Sequence, residues 1–104
     1  MKEAEIYKAL GDPIRLEIIK RLSRGATSTI GELSSNLGIS RQGARKQIQV
    51  LADANIVHLK QRGRLTEVTL ETRTLQIART FIARLESQWD ERLAALKQHL
   101  ENPD

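Results

Sequence analysis

Cysteine is absent from this chain of 104 residues, which excludes disulfides, thiolate catalysis and thiolate metal sites together. Aromatic residues are almost absent as well, limited to Tyr7, Phe81 and Trp89. The core must therefore be aliphatic, built from Leu, Ile, Val and Ala, and stacking of single-stranded bases on an aromatic platform is not expected. Long apolar runs are missing. No stretch approaches the roughly 20 residues of a membrane span, and the start, Met1-Lys2-Glu3-Ala4-Glu5, is charged and lacks the apolar stretch of a secretory signal. The expected setting is the cytoplasm, with no membrane partner. No repeat, low-complexity tract or linker divides residues 1–104, which read as a single domain. Such a chain can bury a small core and would profit from a partner subunit.

Negative charge is also scarce in one place. Between Leu33 and Thr66 the bases Arg41, Arg45, Lys46, Lys60, Arg62 and Arg64 face a single acid, Asp53. The whole chain holds 17 Lys and Arg against 13 Asp and Glu, so the remainder holds 11 bases against 12 acids and is nearly neutral. A local basic field on a neutral body is the mark of a docking surface for a polyanion.

The pattern of apolar residues and caps places these bases on defined elements. Residues 2–10 read as a short helix with Ile6, Ala9 and Leu10 on one side, stopped by Gly11. Asp12 is the N-cap and Pro13 the first residue of a second helix, with Ile14, Ile18, Ile19 and Leu22 as its apolar stripe and Gly25 at its end. Thr29 and Glu32 fit a capping box for a third helix that carries Leu33 and Leu37 and ends at Gly38. Ile39 is the apolar residue of a tight turn, and Ser40 caps a fourth helix with Ala44, Ile48 and Leu51 turned inward. Asn55 is a left-handed stop, after which Ile56–Leu59 and Leu65–Leu70 read as two strands around Arg62-Gly63-Arg64. The fold class is thus mainly α with a small β-hairpin: a winged helix-turn-helix of four helices, a hairpin wing and a long last helix.

From about Thr72 to Leu100 neither Gly nor Pro interrupts the helical pattern, and Pro103 follows it. Leu75, Ala78, Ile82, Leu85, Trp89, Leu93, Leu96 and Leu100 recur at steps of three or four, forming one apolar seam. A helix of that length is roughly 40 Å long, more than one small body can cover. The seam should bury part of itself against a second copy, with Ile6, Leu75, Ala78, Ile82, Leu85, Trp89, Leu93 and Leu96 as the expected dimer contacts. The alternative is a kinked helix folded back on its own core.

On a wheel of 100° per residue, Ala44, Gln47, Ile48 and Leu51 fall on one side of the fourth helix and Gln42, Arg45, Lys46 and Gln49 on the other. The second set suits a major groove: Arg and Lys donate to guanine O6 and N7, and Gln pairs with adenine. Arg41, beside the cap Ser40, suits a phosphate as well as a base edge. Gly63 serves the hairpin tip, and Lys60, Arg62 and Arg64 around it are expected phosphate or minor-groove contacts. Gly43 is costly inside a helix. Tight packing or tolerance of glycine in the first turn explains it better than close approach to DNA. Asp53 lies about two turns beyond Arg45, where its charge interferes least with the groove.

The segments "ALGDPIRLEIIKRL", "IGELSSNLGISRQGARKQIQVLADANIV" and "RGRLTEVTL", in this order and spacing, resemble the ArsR/SmtB family of bacterial winged-helix transcriptional repressors, and they span most of the chain. The tail "WDERLAALKQHLE" is similar to that of members whose last helix carries Trp followed by Arg-Leu. The resemblance implies a homodimer built on the first and last helices that binds double-stranded DNA at a near-palindromic operator. It also implies that Arg41, Gln42, Arg45, Lys46 and Gln49 occupy the DNA-facing positions. Arg45 stands where Ser is common in the family and Gly43 where Ala is common, so no operator sequence carries over. Many members sense metal through cysteines of the third helix or through Asp, His and Glu of the last. Here Ser34 and Ser35 occupy the former region, and His99 is alone in the latter, near Asp90, Glu91 and Glu101. No metal, no cofactor and no catalytic residue is expected, although a small organic inducer is compatible with this reading. The competing function is a winged helix used as a protein-interaction module for an acidic partner.

Overall fold

The structure, a computed structural model, describes residues 2–25 and 27–101. In chain order it comprises α1 (Lys2–Leu10), α2 (Pro13–Ser23), β1 (Ser28–Thr29), α3 (Ile30–Ser34), α4 (Arg41–Asp53), β2 (Val57–Arg62), β3 (Leu65–Leu70) and α5 (Thr72–Glu101). The architecture is a mainly helical winged helix-turn-helix with a three-stranded antiparallel sheet in the order β1-β3-β2.

Local chemistry accounts for most element boundaries. The Asp12 carboxylate accepts from the amides of Ile14 (2.8 Å) and Arg15 (3.1 Å), so the start of α2 is capped just before Pro13. Thr29 and Glu32 form the reciprocal capping box of α3. Asn55, with φ of 59°, turns the chain out of α4 and into β2.

Three boundaries differ from the sequence reading. The third helix stops at Ser34, four residues short of Gly38. The hydroxyls of Ser34 and Ser35 bond back to the carbonyls of Gly31 and Glu32, Asn36 adopts a φ of 59°, and the Arg21 guanidinium donates to the carbonyls of Leu33, Ser35 and Asn36. A side chain from α2 thus takes up carbonyls that further helix would have satisfied. Strand β1 is an addition, two residues long, pairing Ser28 with Val68 and Thr29 with Glu67. The first hairpin strand begins at Val57 and continues through Arg62, leaving a two-residue turn of Gly63 and Arg64. Ile56, expected in the strand, is buried just before it.

The core lies where α2, α3, α4 and the sheet meet. Ile18, Leu33, Ile48, Leu51, Ile56, Val57 and Val68 are its fully covered large side chains, and each contributes roughly 1.5–3 kcal/mol by leaving water. Helix α1 lies against the first turns of α5. There the Tyr7 hydroxyl donates to the Ala78 carbonyl at 2.7 Å, and the Tyr7 ring centroid is 5.9 Å from that of Phe81.

Beyond Ala78 the long helix leaves the body. It is one continuous 30-residue helix, not one broken and folded back on the body, and every residue from 79 to 101 is exposed. The radius of gyration of 19.2 Å and extents of 72 × 25 × 25 Å record that projection, against ~13 Å for a compact chain of this length. Pro103, read as the residue following this helix, lies outside the described residues.

Candidate nucleic-acid interface

Helix α4 starts at Ser40, whose Oγ accepts from the Gly43 amide at 3.0 Å. A Cβ at position 43 would come within 3.2 Å of that Oγ and 3.7 Å of Ile39 Cδ1. The glycine therefore makes room for the cap and the preceding turn. Inward, Ala44, Ile48 and Leu51 are all 0% exposed. Gln47 is half-buried, and its Oε1 accepts from Arg15 Nη1 at 2.7 Å. The same guanidinium donates to the carbonyls of Ala9 and Lys8, so Arg15 ties the end of α1 and the middle of α4 to α2. The helix is seated by apolar contact and by this charge-assisted bond.

The opposite face of α4 is free. Gln42, Arg45, Lys46 and Gln49 are exposed, as is Arg41. Arg41 leans back toward α3, where a Cβ on Gly31 would lie 3.0 Å from its Nη2. Among the described residues none of Arg41, Arg45 and Lys46 is in an ion pair. Their charge is not neutralised from within, as an anion-binding surface requires. The one acid of the segment is engaged with a member of the set: Gln49 Nε2 donates to Asp53 Oδ1 at 2.8 Å.

The wing differs. The register sets Lys60 opposite Glu67 and Arg62 opposite Leu65. Alternation then places His58, Lys60 and Arg62 on the solvent face of β2, because Val57 and its partner Leu70 share the other face with the buried Val68. Arg62 forms an ion pair with Glu67, and His58 Nε2 lies 2.7 Å from Glu71 Oε2. The bond from His58 is the main reason the Glu71 carboxyl titrates below its ordinary value, helped by the charges of His58 and Arg73. Lys60 has no ion-pair partner among the described residues, and Arg64 is exposed at the turn. Gly63, with φ of 58°, supplies the positive backbone angle at the first central position of the turn. Gln61 holds that turn, donating to the Gly63 carbonyl at 3.0 Å and accepting from the Thr66 hydroxyl at 2.9 Å.

The expected dimer residues separate into two groups. Ile6 and Ala78 are already buried within one chain and have little surface left to cover; Leu75 is half-buried. Ile82, Leu85, Trp89, Leu93 and Leu96 remain between 44 and 62% exposed. Phe81 and Leu100 extend this apolar exposure. His99 is exposed on the last turn, and among the described residues no three His, Cys, Asp or Glu side chains gather into a metal-binding group. Among the described residues no helix is long and apolar enough to cross a membrane.

Sequence reasoning missed Arg15, Arg21, Glu67 and the bond made by Asp53. The first two act on carbonyls distant in sequence, for which no local pattern exists. Glu67 lay one residue outside the basic segment. The spacing of Gln49 and Asp53, four residues on a helix, was an available signal.

Comparison with known proteins places this geometry in context. A helix-turn-helix domain family matches residues 10–60, which include α2 to α4 and most of β2. The HTH-type transcriptional regulator YuzN of Bacillus subtilis is 38% identical over 65 residues, covering 57% of this chain and 71% of that protein. The transcriptional repressor SdpR of the same organism is 27% identical over 71 residues, covering 68% of this chain and 78% of that protein. Among solved structures, an ArsR-like transcriptional regulator from Rhodococcus sp. RHA1 superposes with a TM-score of 0.80 at 30% identity, covering 93% of this chain and 91% of its own.

Proposed function

The chain belongs to the ArsR family of winged helix-turn-helix transcriptional regulators, and on that premise we propose that it is a homodimeric repressor that excludes polymerase by occupying a near-palindromic operator. A family of DNA-binding regulators leaves no catalytic role to explain. The observation that carries the proposal is the division of α4. Its inner residues Ala44, Ile48 and Leu51 are completely buried, whereas Gln42, Arg45, Lys46 and Gln49 are exposed on the outside, and among the described residues neither Arg45 nor Lys46 is in an ion pair. A rigid helix with hydrogen-bonding tips on one face is what a major groove about 12 Å wide admits.

In this reading Gln42, Arg45, Lys46 and Gln49 read base edges, and Arg41, Lys60 and Arg64 hold phosphates. Arg62 reaches a phosphate by exchanging Glu67 for it. Two copies joined along α5 present two α4 helices to successive major grooves, whose centres lie about 34 Å apart. The repressor role is consistent with SdpR, whose name states that role.

A mobility-shift titration tests the proposal. Duplex DNA carrying the operator should be retarded in preference to single strands, with log affinity falling linearly with log salt. Lys46→Ala should weaken specific binding by about 1–3 kcal/mol if Lys46 contacts a base. Absence of duplex preference, or of salt dependence, removes the assignment and leaves the basic face as a surface for an acidic protein.

A further inference from the structure

We propose that Asp53 is a positioning residue that sets the orientation in which Gln49 reads an A·T pair. The inference rests on α4 being the base-reading helix. A glutamine amide presents a donor and an acceptor that differ little in shape, and on an exposed side chain it can turn over freely. In the groove that freedom is a loss of information. Adenine presents N7 as acceptor and N6–H as donor, and an A·T pair presents them in the opposite order from T·A. An amide free to rotate can satisfy either order.

A hydrogen bond within α4 opposes that freedom. Gln49 Nε2 lies 2.8 Å from Asp53 Oδ1. An ionised carboxylate only accepts hydrogen bonds, so the nitrogen and not the oxygen of the amide must face it. Both residues are exposed on consecutive turns of α4, so the bond is present without DNA and its ordering cost is met before binding. Gln49 keeps one Nε2–H and all of Oε1 for a base. These form a donor and an acceptor whose sequence along the helix is set: nitrogen toward the C-terminal end of α4, oxygen toward the N-terminal end. The single acid of the basic segment therefore has a use in recognition, beyond being remote from Arg45. Its cost is repulsion of the DNA backbone, which falls on all sequences alike.

The experiment is a competition mobility shift on the operator recovered by binding selection, with each A·T pair inverted to T·A in turn. It compares wild type with Gln49→Ala, Asp53→Ala and Asp53→Asn, the fold of each verified by circular dichroism. Wild type should disfavour inversion at one position per half-site by about tenfold, within the range of a good bidentate contact. Gln49→Ala should abolish the discrimination at that position. Asp53→Ala should reduce it to about twofold while raising affinity for unrelated duplex. Asp53→Asn, whose amide can donate to Gln49 Oε1 as readily as accept from Nε2, admits either orientation and should lose the discrimination as Asp53→Ala does. The proposal is overturned if Asp53→Ala discriminates as well as wild type, if Asp53→Asn does so, or if discrimination survives Gln49→Ala. A wild-type protein with no preference at any base pair overturns the base-reading premise itself, a result distinct from the other three.

Discussion

The body of this molecule and the outer part of its last helix carry the same kind of pattern and meet opposite fates. In α2 and α4, apolar residues three or four apart, Ile18 and Leu22 or Ala44, Ile48 and Leu51, are buried to 2% exposure or less. In α5 an equally regular series, Ile82, Leu85, Trp89, Leu93, Leu96 and Leu100, is 44 to 70% exposed. Periodicity states that a face is meant to be covered, and it does not state by what. The body supplies its own cover because α1 to α4 and the sheet surround one centre. Helix α5 outruns that centre after Ala78.

The energetic consequence decides how the two regions should respond to change. Covering the exposed half of each seam side chain would contribute roughly 1 kcal/mol. Two such seams together reach the scale of the ~4–15 kcal/mol that association costs. A dimer held this way is sensitive to single substitutions along the seam, whereas the core of the body is complete within one copy.

The largest effects should come from the body. Ile48→Ala or Leu51→Ala should destabilise it by about 2–5 kcal/mol through lost burial and a cavity, a loss relative to wild type that is the same at dilute and high protein concentration even though the midpoints themselves rise with concentration as dimerisation is linked to folding. A concentration-dependent loss would mean that the core is shared between copies, which breaks the contrast. Next comes the seam. Trp89→Ala should weaken self-association by about 2 kcal/mol or more, and Leu85→Asp should do so at least as strongly. Sedimentation should show monomers that keep their helical circular dichroism. A stable wild-type monomer would contradict the dimer outright.

A smaller effect sharpens the account of α4. Ser40→Ala removes the cap that Gly43 was shaped to fit and should cost about 1 kcal/mol of body stability, read from chemical unfolding. The smallest lies at the junction of the wing and α5. The Glu71 carboxyl is held below its ordinary value of 4.5 chiefly by the bond from His58. A carboxyl with a depressed folded value stabilises the fold above its unfolded value and loses that contribution as pH falls through the folded one. The difference in melting temperature between wild type and Glu71→Gln should therefore be present near neutrality and vanish as the pH falls through the lowered folded value of the carboxyl. A difference that persisted at lower pH would separate the effect from this titration.

Where a signal was local, the sequence carried it. Asp12, Thr29, Ser40, Asn55 and Gly63 each perform the cap or turn that their chemistry suggests, and the inner and outer faces of α4 follow from 100° per residue. The continuity of α5 was legible from the absence of Gly and Pro. Strand β1 was not, since two residues are too few to alternate, and it exists because β3 offers Val68 and Glu67 to pair with. The early end of α3 depends on Arg21, twelve residues before the first carbonyl it reaches. At the candidate interface, the identities of the exposed bases could be read in advance. Their states could not: among the described residues the α4 bases have no ion-pair partner and Arg62 has one, because Glu67 reaches the strand face through a hairpin register.

The central claim is that α5 holds two copies of the α4 face at a fixed distance. Binding selection on random duplex DNA, with the spacing of the enriched elements read directly, tests it most simply. The account predicts two half-sites related by two-fold symmetry, their centres one helical turn of about 34 Å apart or a multiple of it. Enrichment of a single element with no symmetric companion at a fixed spacing would contradict it.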